Sequence, residues 1–224
     1  MEARNLTNAV RLSHFFNSTN LEVVLESLSF EYTANPSAGL LEMKKALTSV
    51  RVAVSEDADA IARIFIESAE YHADLDPERY SVPAVETISA RYRKDLQHPP
   101  DADGKAITLV AELGNEIVGF LDARLDQSPD PMHRKLIYCH VAEIAVSMRH
   151  QRQGIGERLL QAAEKWARQQ GAQFASLEYH VANTGAGVFY LQQKYCAAHI
   201  IAVKRLQGPA RRASRVKRNQ LSPV

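Results

Sequence analysis

The sequence predicts an α/β fold, a mixed sheet with helices packed against it, and three observations carry that prediction. Apolar patterns of period two and period 3.6 succeed one another in the order βααβββαβαβ, which packs as a sheet layered with helices. An apolar run, Ile144-Ala145-Val146, passes through a turn holding Gly154 and Gly156 straight into an amphipathic stretch. The 224 residues are 46% hydrophobic and 24% charged, ordinary proportions for one domain with a real core plus tails.

Each element has its own signal. Residues 1–49 mix Asn, Ser and Thr with short apolar pieces and carry no sustained period, so a weakly ordered extension is expected; Met43-Lys44-Lys45 would itself suit a translation start. The domain, residues 50–206, opens with a strand at 51–54. Ser55 or Asp57 caps a helix whose apolar face is Ile61, Ile64, Phe65 and Ala69. Pro83 starts a second helix with Val85, Ile88, Tyr92 and Leu96 on one side. Residues 108–113 and 117–125, joined by Gly114-Asn115, read as a hairpin, and residues 126–134, with Pro129 and Pro131, as a loop. A central strand spans 136–147. The next helix, 155–170, buries a stripe of Ile155, Leu159, Ala162, Ala163 and Trp166 and ends at Gly171. A strand at 174–181, a helix from Asn183 to about Lys194 and a closing strand at 199–206 complete the domain, leaving a basic disordered tail at 207–224.

The strand-turn-helix at 144–156 is the most informative piece. A helix that starts in a glycine turn leaves its first N–H groups unpaired and aimed at whatever occupies the turn. Side chains at Gly154 or Gly156 would hold an anion off the backbone and forbid positive φ, while Arg149 and Arg152 add charge, so a polyanion such as pyrophosphate fits. Two nucleotide motifs fit poorly. The dinucleotide fingerprint needs a third glycine where Leu159 stands, although Glu178 lies about where the ribose-binding acid would fall; the NTPase loop needs Lys-Ser/Thr where Glu157 and Arg158 stand.

Gln151-x-x-Gly154-x-Gly156, followed by Leu177-Glu178-Tyr179 and by Asn183-x-x-Ala186-x-x-Phe189-Tyr190, resembles the GNAT superfamily of acyl-CoA-dependent N-acetyltransferases across residues 50–206. The resemblance implies a GNAT-like mixed, largely antiparallel central sheet flanked by helices. It implies acetyl-CoA as co-substrate and no metal. Its pyrophosphate would lie on Gln151, Arg152, Gln153, Gly154, Ile155 and Gly156, and its thioester beside Asn183 and Ala186. A backbone N–H near Ala145 or Val146 would hold the oxyanion, where the strand splays from its neighbour, and Tyr190 would be the general acid. One departure stands out: where family members continue from that tyrosine to a glycine, this chain has Lys194, which puts the helix end and the floor of the acceptor pocket in question.

The residues support such chemistry in their own right. Asn183 is a strong N-cap type, and Ala186 and Tyr190 then share a helical face. Gly185 and Gly187 cost the first turn about 1 kcal/mol each, which suits close approach of a ligand to the backbone. Acyl transfer to an amine needs a base near the central strand, and His140 and Glu143 are the candidates. His140 lies six residues before Val146 at the matching parity; Glu143 has the opposite parity unless a bulge intervenes. A phenol near pKa 10 protonating a thiolate near 8.5 is uphill by about 2 kcal/mol, so Tyr190 needs a depressed pKa or mainly donates a hydrogen bond.

Charge and cysteine usage bound the partners. Seven basic residues and no acid lie from Lys204 onward, so the formal net charge of +1 becomes −6 for residues 1–203. With no interleaved aromatics the basic tail reads as solvated, which argues against nucleic acid, although a ribosome- or nucleic-acid-associated module is the alternative that tail would serve. A catalytically inactive acyl-CoA sensor is the other alternative. Residues 70–103 hold eight acids against four bases beside the expected acceptor site, suited to steering a cationic amine, either a small molecule or a protein amine. Cys139 and Cys196 show no metal or redox spacing, and no run approaches membrane-span length, so a cytoplasmic protein is expected, with no membrane partner and with room for a homodimer.

Overall fold

The computed structural model describes residues 48–97, 104–127 and 131–206. The elements are β1 (Thr48–Val52), α1 (Ala58–Leu75), α2 (Val85–Gln97), β2 (Ala106–Leu113), β3 (Glu116–Gln127), β4 (Ile137–Val146), α3 (Ile155–Gln169), β5 (Phe174–Leu177) and α4 (Thr184–Gln192). They form one five-stranded sheet in the order β1-β2-β3-β4-β5, antiparallel except for the parallel β4–β5 pair. β1 begins at Thr48, two residues before the expected domain boundary. Most of the expected N-terminal extension, the centre of the 126–134 loop and the basic tail lie outside the described residues.

Each face of the sheet carries a core. On one side Leu121, Ala123, Cys139 and Val141 pack under Ile155, Leu159, Leu160 and Ala163 of α3, with Tyr190 of α4 at the edge. On the other, Val110 and Phe120 meet Ile61 and Ile64 of α1 and Ile88 and Tyr92 of α2. The helical stripes read from the sequence thus face the sheet as expected. Asp57 works backward rather than as a cap for α1: its carboxylate accepts from the Val54 amide at 2.9 Å and from both Arg51 guanidinium nitrogens at 2.7 and 2.9 Å. Burial would raise that carboxyl, but Arg51 and the Val54 amide outweigh it and hold it low, tying β1 to the start of α1.

Gly119 of β3 marks the closest approach of sheet and helix. A Cβ there would stand 3.1 Å from the Ala145 carbonyl oxygen and 3.2 Å from both Ile155 and Leu159. Gly119→Val should therefore destabilise the domain by about 2 kcal/mol or more through overpacking, read from the urea midpoint.

The closing strand expected at 199–206 does not form. Ile200 and Ile201 are both strongly exposed, at 92% and 71%, so even the inward-outward alternation of a strand is missing. The chain leaves α4 through Lys194 at φ 67, and Tyr195 is then tied down, its amide donating to the Tyr190 carbonyl at 2.9 Å and its hydroxyl to Glu164 at 3.2 Å. β5 offers only four residues of edge, and apolar β-branched residues do not make a strand without an edge to pair with. β5 itself stops at Leu177 instead of continuing to 181, because its ladder with β4 ends at the Val141–Leu177 pair. No helix among the described residues is long and apolar enough to cross a membrane.

Candidate functional site

A bulge in β4 opens the cleft. Its register with β3 runs from Asp122–Glu143 to Ala123–Val141, leaving Ala142 as an extra residue that bends the strand. The bend falls where β5 stops pairing, so β4 and β5 splay beyond Val141, as the resemblance implied. The Val146 carbonyl accepts from the Gln151 side chain at 3.2 Å, whereas the next amide, Ser147, donates to Val118 of β3 at 2.9 Å. Backbone polarity alternates along a strand, so Val146, rather than Ala145, is the residue whose N–H looks into the opening.

From β4 the chain makes a single 3-10 turn, Met148–His150, anchored from α1 by Glu67, which accepts from the Met148 amide at 2.7 Å. Arg152 at φ 62 and Gly154 at φ 77 then take left-handed conformations on either side of Gln153, and α3 begins. Left- and right-handed residues in alternation turn successive N–H groups into one concavity. Among the described residues the amides of Arg152, Gln153, Gly154, Ile155 and Gly156 meet no backbone acceptor; the first bonded amide is Arg158, donating to Gly154 at 3.2 Å. The Gln153 side chain bonds the Arg149 carbonyl at 3.4 Å, so both glutamines hold the turn by its carbonyls and leave its amides free. These residues fit a pyrophosphate.

Two glycine expectations change. Gly156 is helical and does not supply a positive φ; it is small because a Cβ would meet the Phe189 ring of α4 at 3.2 Å. Gly187 likewise admits the Tyr179 ring, 3.2 Å from where its Cβ would be, rather than a ligand. Gly185 keeps open space around it, with Asn183 and the Arg152 guanidinium no nearer than 3.8 and 4.0 Å. Asn183 caps α4 as expected, accepting from the Ala186 amide at 3.0 Å. Lys194 occupies the left-handed position a glycine would fill, at a strain of about 1 kcal/mol, so the end of α4 is made without that glycine.

Tyr190 is buried at the end of α4, its ring against Tyr179 at 5.4 Å and Phe189 at 5.2 Å. Burial, the Glu143 charge and Tyr179 push its phenol up to about 12. The bulge lies between His140 and Glu143: it puts the two on one face, their partners Asp122 and Arg124 lying two apart on β3, and overturns the expected match of His140 with Val146, while Glu143, with no bulge before Val146, keeps the opposite parity. Burial raises the Glu143 carboxyl, Asp122 adds to the effect, and Arg91 and His72 oppose it. His140 sits farther along β4, in a recess of about 170 Å³ shared with Asp126, Tyr138 and Ser176, its Nδ1 at 3.3 Å from the Ser176 hydroxyl. Burial and Arg124 lower its pKa. The structure thus brings the 152–156 turn against the start of α4, with Asn183 and Ala186, and against the Phe189–Tyr190 pair, keeps Val146 tied to the turn through Gln151, and sets His140 in a recess of its own.

Other residues at the mouth carry no motif. The Tyr71 hydroxyl donates to Asn183 at 3.4 Å, linking the end of α1 to the start of α4. Arg79 reaches Nε2 of His180 at 2.8 Å. His72, beside them, continues the core-facing stripe of α1, a spacing visible in the sequence but masked by the apolar residues that precede it. Among the described residues no group of His, Cys, Asp or Glu is placed to hold a metal ion.

The acetyltransferase (GNAT) family model matches residues 67–195. No curated protein matches the chain closely enough in sequence to serve as a relative. Among solved structures, a tetramutant of the BH1408 protein from Bacillus halodurans superposes with a TM-score of 0.62 at 18% identity, covering 70% of this chain and 99% of that one. An aminoglycoside acetyltransferase from an uncultured soil metagenomic sample, in complex with trehalose, gives 0.51 at 20% identity over 72% of this chain and 96% of that one. The aminoglycoside N-acetyltransferase AAC(6')-Iy in complex with CoA gives 0.53 at 13% identity over 70% and 93%. These likenesses show the fold, and the family match spans more than half of the sequence around the very turn, strand and helix that build the cleft: the chain belongs to the acetyltransferase (GNAT) family.

Proposed function

We propose that this protein transfers an acetyl group from acetyl-CoA to a primary amine, carried by a small cationic molecule or a protein, by direct attack on the thioester. The observation that carries the reading is the free amides of residues 152–156, which follow β4 directly beyond the point where its pairing with β5 ends. Acetyl-CoA supplies an activated acyl carbon when bound. The turn amides and Arg152 hold its diphosphate, and the Val146 N–H, preorganised by the strand, stabilises charge on the acyl oxygen. The proton released by the amine is drawn to the Glu143 side of the cleft.

Tyr190 serves as a hydrogen-bond donor to the departing sulfur rather than as a full proton donor. With its phenol near 12, transfer to a thiolate near 8.5 would be uphill by about 5 kcal/mol. Tyr190→Phe should lower kcat about tenfold to a hundredfold, the worth of one hydrogen bond to a charged acceptor, with acetyl-CoA affinity little changed. Calorimetric titration with acetyl-CoA, followed by thiol release across a panel of amines, tests the whole reading. Binding without thiol release from any amine would leave an acyl-CoA sensor; absence of binding would remove the reading altogether.

A further inference from the structure

α1 lays Ile61, Ile64, Ser68 and His72 along one side, and the first two are sealed in the core under the sheet. His72 is the member of that stripe that lies beyond the core, where the cleft begins: one turn earlier Glu67 accepts from the Met148 amide at the end of β4, and the adjacent Tyr71 hydroxyl reaches Asn183 at the start of α4 at 3.4 Å. Its ring is held at 5.4 Å from Tyr80 and 6.0 Å, edge-on, from Tyr71. Its Nδ1 lies 2.8 Å from the Ser68 backbone carbonyl. A carbonyl oxygen can only accept, so Nδ1 must carry the hydrogen, and in the neutral ring Nε2 must carry the lone pair. A core-facing position thus presents a tautomer-locked proton acceptor at the mouth of the cleft.

We infer that Nε2 of His72, rather than the Glu143 carboxylate itself, is the atom that takes the proton from the acceptor amine. The inference rests on the acetyl-transfer reading given above. As the amine nitrogen bonds to the acyl carbon it gives one proton to Nε2, the carbon–sulfur bond breaks with its electron pair on sulfur, and the proton passes from the imidazolium to that sulfur, regenerating neutral His72. Glu143 stabilises the imidazolium across the cleft. The other charged and titratable groups around it are Asp122 of β3 and Arg91 of α2 about Glu143, the Tyr71 and Tyr80 hydroxyls, and, against Tyr80, His180 with its partners Arg79 and Asp76.

The test has two parts on the full chain. Long-range proton–nitrogen NMR of the free protein should show His72 as the Nδ1–H tautomer, and His72→Asn, which keeps an N–H donor toward the Ser68 carbonyl, should bind acetyl-CoA like wild type by calorimetry. That variant should lose about a hundredfold in kcat and lose the acidic limb of the pH profile of kcat/KM. An Nε2–H tautomer, or His72→Asn turnover with an unchanged pH profile while wild type transfers acetyl groups, would overturn the role of His72 and leave the acetyltransferase reading standing. Wild-type protein that binds acetyl-CoA and acetylates no amine would bring down both.

Discussion

Gly154→Val is expected to weaken acetyl-CoA binding by about a hundredfold or more while leaving the domain folded. Gly154 caps α3 at φ 77, where a β-branched residue costs about 1–2 kcal/mol, and relief of that strain would rotate the amides of residues 154–156 out of their common concavity. Hydrogen bonds to a charged phosphate are worth about 1.5–3 kcal/mol each, so losing one or two corresponds to the expected drop. The helix itself is secured from Ile155 onward by residues fully buried against the sheet, which is why the thermal melt should fall only modestly. Gly154→Asn, which tolerates the left-handed conformation, should cost far less affinity. Equal affinities for the valine variant and wild type would show that these amides do not hold the ligand.

Glu143→Gln is expected to lower kcat by about two to three orders of magnitude and, at neutral pH, to make the protein more stable. Burial and Asp122 raise this carboxyl above the ordinary glutamate range. A carboxyl whose folded pKa lies above its unfolded value contributes stability that is complete below the unfolded value and is lost as pH rises through the folded one. As pH rises wild type must therefore ionise a desolvated carboxyl that the nearly isosteric glutamine variant lacks, a cost that fades toward acid. Urea unfolding at about pH 4 and about pH 7.5 should show the variant's advantage growing with pH. An advantage that shrinks with rising pH would mean that Arg91 and His72 outweigh burial, and retention of full kcat would take Glu143 out of the reaction.

The pairing of activity loss with stability gain is what a group held for chemistry against its solvation preference should show. Asp122 makes the contrast. It lies on the same sheet face and is equally enclosed, but the Tyr92 hydroxyl at 2.6 Å and the Thr108 hydroxyl at 2.8 Å satisfy it, so it serves the packing of α2 on the sheet. Two half-buried acids that pair directly across the β3–β4 ladder thus do different work according to whether they have hydrogen-bond partners.

Local pattern made much of this protein legible in advance. The helical stripes, the Gly114 hairpin, the Gly154 turn and the Asn183 cap each depend on neighbours within a few residues, and each is where the sequence puts it. What sequence could not decide involved partners far away in the chain. Ala142 reads as any other alanine until β3 fails to pair with it, yet that bulge takes His140 out of phase with Val146 and puts it on the face of Glu143. Gly156 and Gly187 are small because aromatic rings from other elements reach them, and the apolar residues after Lys194 stay out of the sheet because β5 is too short an edge to receive them. Pairing register, ring packing and the burial that shifts a pKa are properties of two segments at once, so they came into being only when the chain had folded.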